Sequence, residues 1–236
     1  MGSASIARRS LALLLGLMTL EPARAAGFGG MLGASSDSVF RGISESNGDP
    51  AVQADGHYRW DGGAFVGLRG ASTKPRTAAG PRDTLELDTY LGYGFSPAAA
   101  WSARVTLVHY AYPWSEPERP GYDELAVDAT WLGRVSLAAA TSPNKPGAGG
   151  TRNPAHNYEL AVRWPLAGTL SLDAGLGYYD LRQVYDTAYA YWSAGATYAP
   201  RPLTLALSWI GADREARDGY GELADNRVVA SVLWAF

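Results

Sequence analysis

From residue 30 to the end of the chain, large apolar side chains fall on every second position, in runs broken by segments rich in Gly, Pro and charge. In the last run, NRVVASVLWAF (226–236), Val228, Ala230, Val232, Trp234 and Phe236 share one phase, and Arg227 and Ser231 lie on the other. A period of two is that of a β-strand whose faces meet different surroundings. The pattern predicts twelve strands, at 30–43, 51–60, 64–72, 84–95, 100–112, 122–131, 134–142, 156–164, 169–179, 188–198, 203–211 and 226–236. Links after even-numbered strands are tight: 61–63, 96–99, 132–133, 165–168 and 200–202. Links after odd-numbered strands are long, as in TKPRTAAGPRD, SPNKPGAGGTRNPA and ADREARDGYGELAD, and read as solvated loops. No helical periodicity competes with the strands after residue 25.

One phase of these strands is apolar, with no charge at positions such as Leu87, Leu91, Leu107, Val127, Leu160, Leu176 and Leu207. The other phase holds Asp55, His57, Arg59, Arg69, Glu86, Asp88, Arg104, Glu124, Asp128, Arg134, Glu159, Arg163, Asp173 and Arg227. Only the first strand, which contains Arg41, is ambiguous in phase. A soluble sandwich also alternates, but it has no reason to sort aromatics by height. Here Trp60, Phe95, Trp101, Trp131, Trp164, Tyr198 and Phe236 all sit on the apolar phase beside the short links. Tyr158, Tyr178 and Trp209 sit near the long ones. Such girdles mark membrane–water boundaries. In hydrocarbon every backbone N–H and C=O needs a partner, which a closed sheet supplies. The expectation is therefore an all-β fold: a closed antiparallel transmembrane β-barrel of about 12 strands in a bacterial outer membrane, with short periplasmic turns and long extracellular loops. The final strand must then close against the first.

The N-terminus fits this address. Arg8 and Arg9 precede the apolar run Leu11–Leu20, and Ala23-Arg24-Ala25 forms an A-x-A site. Residues 1–25 read as a signal peptide, leaving 26–236 as a single barrel domain. Removing the leader takes three Arg and one Glu from a chain already at net charge −3, so nothing suggests nucleic-acid binding. With no cysteine, disulfides and thiolate chemistry are excluded. The expected partners are outer-membrane lipids and lipopolysaccharide, with the barrel-assembly machinery acting during biogenesis. Lys74, Arg76 and Arg82 are candidates for lipopolysaccharide phosphates.

The segment SDSVFRGISESNGDPAVQADGHY (Ser36–Tyr58) resembles the opening hairpin of the TorF family, proteobacterial outer-membrane proteins labelled as porins. Ser36, Asp37, Phe40, Arg41, Gly42, Ser44, Pro50, Ala51 and Gln53 match that pattern, and Ser38 replaces its usual Tyr. LELDTYLGYG, HYAYPW and YDELAVDATW are looser echoes. The resemblance implies a barrel and a porin, without implying a substrate.

Twelve strands leave room for a narrow aqueous lumen. The interior phase, with Arg41, carries seven acids and seven arginines, which argues against a selectivity ring of one sign. Tyr90, Tyr110, Tyr179, Tyr189 and Tyr191 are expected to intrude on the bore, and Arg104 and Asp128 to meet across one hairpin. For Arg41 and Asp37, placed four residues apart on the first strand, two readings are open: a pore-lining charge, or an interior charge paired with a neighbouring strand. The functional expectation is a porin for small solutes or ions. The alternatives are a barrel without an open pore that acts through its loops, and a lipid-hydrolysing barrel. His57, His109 and His156 are the available bases, and His109 lies on the outward phase, but no G-x-S-x-G motif accompanies it. No enzyme activity, catalytic residue, cofactor or metal is therefore assigned. The acids Asp213, Asp218, Glu222 and Asp225 do not have EF-hand spacing.

Overall fold

The computed structural model describes residues 26–77, 80–115 and 119–236, so the proposed signal peptide lies outside the described residues. The strands, in chain order, are β1 (Gly27–Ser35), β2 (Val39–Phe40), β3 (Ile43–Ser44), β4 (Ala51–Arg59), β5 (Ala64–Thr73), β6 (Arg76–Thr77), β7 (Gly80–Pro81) and β8 (Thr84–Ala98). They continue with β9 (Trp101–Ala111), β10 (Tyr122–Trp131), β11 (Val135–Pro146), β12 (Arg152–Ala167), β13 (Leu170–Leu181), β14 (Thr187–Tyr198), β15 (Leu203–Ala212) and β16 (Arg227–Ala235). Twelve of them form a closed antiparallel barrel in which each strand pairs with its neighbours along the chain, while β2–β3 and β6–β7 are separate two-stranded hairpins.

The barrel closes where the terminal alternation requires it to. β1 pairs with β16 from Met31↔Ala235 to Ser35↔Ser231. Gly30 and Phe236 then exchange backbone hydrogen bonds of 3.0 and 3.1 Å, so the last residue is still part of the seam.

The barrel is inside-out. Leu91, Trp164 and Leu176 are 57%, 62% and 54% exposed, whereas Asp88, Glu124 and Glu159 on the opposite phase are 3%, 1% and 7% exposed. All seven aromatics assigned to the belt at the short turns are exposed, and Phe28 joins them. Rings pair around this belt: Phe28 with Tyr58, Tyr58 with Trp60, Tyr93 with Phe95, and Trp234 with Phe236. An outward face of Leu, Val and aromatics is matched to hydrocarbon, where a mid-depth charge would cost about 2–4 kcal/mol.

Three expectations are corrected. The first barrel strand is Gly27–Ser35 and not 30–43; residues 36–50 leave the wall. The link SPNKPGAGGTRNPA is largely ladder, because β11 and β12 run on past a bulge to pair Pro146 with Arg152. The link ADREARDGYGELAD holds a helix, α2 (Arg214–Tyr220), capped by the Asp213 side chain accepting from the Ala216 N–H. A shorter helix, α1 (Arg182–Tyr185), follows β13.

Candidate functional site: the barrel interior

Residues 36–50 fold into the barrel at the long-loop end. The RG of the SDSVFRG motif makes the turn of β2–β3: Phe40 pairs with Ile43, and Arg41 and Gly42 both have positive φ (50° and 80°). Two central residues with φ > 0 form the tight hairpin turn that suits strand twist, and the second favours Gly. A side chain on Gly42 would also meet Tyr191. Asn47 and Gly48 (φ 58° and 81°) repeat the device, closed by the Asp49 N–H donating to the Ser46 carbonyl at 3.1 Å.

The turn carries Arg41 across the bore. One of its terminal nitrogens donates to both Glu124 oxygens, at 2.8 and 2.9 Å. Glu124 lies on β10, five steps round the wall from β1. The guanidinium sits 4.5 Å from the centroids of both the Phe40 and Tyr179 rings. Ser142 and Tyr110 also donate to Glu124, at 3.1 and 3.4 Å. The sequence expectation for Arg41 and Asp37 is thus corrected: neither is on a barrel strand, and the partner of Arg41 is the far wall. Sequence separation hid this, since the pair is 83 residues apart.

Further bonds fix the hairpin. Asp37 accepts from Ser44 and Ser46 at 2.7 Å each and from Arg227 at 2.6 Å. Glu45 pairs with Arg119 at 2.6 Å, and Asp49 with Lys74 at 2.6 Å. The bond to Asp49 holds the Lys74 ammonium above its ordinary pKa. Arg76 donates to Asn47 at 2.7 Å and pairs with Glu222 at 2.9 Å. Lys74 and Arg76, candidates for lipopolysaccharide, therefore already serve loop–loop ion pairs. Around the hairpin, Ile43 packs with Tyr179, Leu181, Tyr189, Tyr191, Ala216 and Ala224. All five interior tyrosines anticipated from the sequence are buried. Gly177 leaves room for the Tyr191 ring to lie flat on the wall.

The remaining predicted interior residues group by height. Arg69 donates to Asp88 at 2.7 Å and to Glu86 at 3.3 Å. Asp55 is bonded by His57 at 2.9 Å and Tyr90 at 2.8 Å. Asn157 and Tyr191 both donate to Glu159. Arg227 also donates to the carbonyls of Glu222, Leu223 and Asp225, clasping the segment after α2. Nearer the short turns, Arg104 meets Asp128 at 2.6 Å, as the register predicted, and Arg163 meets Asp173 at 2.5 Å. Arg59 lies at the same end, and among the described residues no carboxylate pairs with it. Arg134 is corrected: it stands in the turn before β11 and not on a strand.

Of the other candidates, His109 bonds Asp123 at 2.7 Å on the outer surface. Asp213 serves as the helix cap, and among the described residues no three His, Cys, Asp or Glu side chains are grouped to hold a metal ion.

Residues 20–236 match the family model Gcw_chp, described as a bacterial protein of unknown function. The chain belongs to the Gcw_chp family. The Gcw_chp barrel is similar in fold to the NanC porin (TM-score 0.53, 11% identity, covering 89% of this chain and 98% of that one). It is likewise similar to the KdgM porin (TM-score 0.54, 8% identity, 89% and 99% coverage). At these identities the likeness concerns the barrel alone. No curated protein matches this Gcw_chp sequence.

Proposed function

We propose that this protein is an outer-membrane channel for small solutes whose long-loop end is closed by the hairpin 36–50. The observation that carries this reading is the division of the interior. The long-loop half is packed around Arg41 and Glu124, each 1% exposed. The short-turn half keeps charged side chains in contact with water: Arg104, Asp128 and Asp173 retain 13%, 19% and 22% exposure. A barrel built only as a wall has no need to keep water-exposed charges inside. The likeness of Ser36–Gln53 to the TorF family supports the same reading, as does a fold shared with two porins. In this orientation the short turns face the periplasm and the long loops the exterior.

Purified protein in planar bilayers gives small conductance steps. Silence from both the native chain and an Arg41→Ala, Asp37→Ala double variant, which releases the hairpin from β10 and β16, ends the reading. The packed outer half favours one alternative, a permanently closed barrel acting through its loops, and that alternative requires this silence.

A further inference from the structure

Among the described barrel strands, the charges nearer the short turns meet in pairs, Asp128 with Arg104 and Asp173 with Arg163, and further along β4 Asp55 is taken by His57 and Tyr90; Arg59 stands apart from these. Arg59, at the end of β4, is only 9% exposed. Among the described residues no carboxylate pairs with it, and its Nη2 has no hydrogen-bond partner. Burying a guanidinium without a counter-charge is expensive, so this placement calls for a reason.

The surroundings hold the group in a defined place. The Arg59 guanidinium carbon lies 5.7 Å from the centroid of the Phe65 ring, its partner across β4–β5. Phe65 in turn lies flat against the wall, over Gly92. The far end of Arg59 reaches the surface of Gly94, where an added Cβ would lie 3.7 Å from Nη1. Gly94 is the register partner of Arg104 across β8–β9. Two arginines from β4 and β9 thus converge over a glycine on β8, and their like charges oppose each other. Water reaches this level of the bore, as the partial exposure of Arg104 and Asp128 shows.

We propose that Arg59 and Arg104 form a subsite for small oxyanions, with a carboxylate or phosphate group completing the hydrogen bonds that Arg59 lacks. The inference rests on reading the short-turn half of the interior as open to solutes. It adds a chemical class and a residue to that reading. Arg is suited to the task because its planar fork matches an oxyanion and stays charged at any physiological pH. Asp128 neutralises Arg104, so the local excess of positive charge resides on Arg59.

The test is a ³¹P NMR titration of inorganic phosphate against the folded barrel in detergent micelles. Native protein broadens the phosphate line. Arg59→Gln weakens the binding roughly tenfold, the loss expected for one charge-assisted hydrogen bond. Arg59→Lys keeps the charge and retains most of the broadening. Heat-modifiable migration on gels confirms that each variant has folded; if Arg59→Gln does not fold, the comparison of native protein with Arg59→Lys and Arg59→Met stands in its place. Equal broadening by native protein and the neutral variant, or none by either, overturns the subsite. Planar-bilayer recordings separate the two claims. Conductance without phosphate binding removes the subsite and keeps the channel; phosphate binding without conductance does the reverse.

Discussion

Arg41, at the tip of a hairpin that enters the barrel, lies 2.8 Å from Glu124 on the opposite wall, and each side chain is 1% exposed. This contact ties the hairpin that follows β1 to a strand from the middle of the chain, 83 residues on. Breaking one side of a buried pair leaves a stranded charge, at a cost of about 3–5 kcal/mol. Arg41→Ala should therefore release the hairpin while the barrel persists. Hydrogen exchange should show protection lost across 36–50 and kept in β12–β14.

Gly42 tests the turn itself. Its φ of 80° and the Tyr191 side chain 2.7 Å from an added Cβ leave no room for a side chain. Gly42→Ala should destabilise the hairpin by at least the ~1–2 kcal/mol of a left-handed residue. Limited proteolysis at 36–50 should accelerate accordingly, whereas Gly48→Ala, with open space around it, should show a smaller effect.

The inside-out arrangement predicts an asymmetry between neighbours. Leu91→Arg, on the outward face, should cost about 2–4 kcal/mol in a reversible folding assay in lipid vesicles. Thr106→Ser, inside the barrel, should stay within about 1 kcal/mol.

The alternation made the wall legible in the sequence because hydrocarbon and lumen impose opposite demands on successive residues. Arg104 and Asp128 were legible as a pair because β9 and β10 are joined by a single loop, which fixes their register. The hairpin was not. Residues 37–46 are buried or half-buried throughout, so no period of two marks them, and Asn47-Gly48-Asp49-Pro50 signals a turn without signalling where it folds. The partner of Arg41 is set by barrel closure and not by local sequence. The same holds for Arg59, whose interior phase was readable but whose missing counter-charge depends on what every neighbouring strand presents. Helix α2 spans 7 residues, too few for an apolar stripe to show; only Asp213 marked its start.

Since Ser35 and Ala51 face each other across β1–β4, a two-residue Asn-Gly turn can replace 36–50 without moving either strand. Single-channel conductance of that variant beside the native chain is the most direct measurement. A bore closed by the hairpin predicts larger and longer-lived steps once it is gone. Conductance no greater than that of the native chain would contradict it.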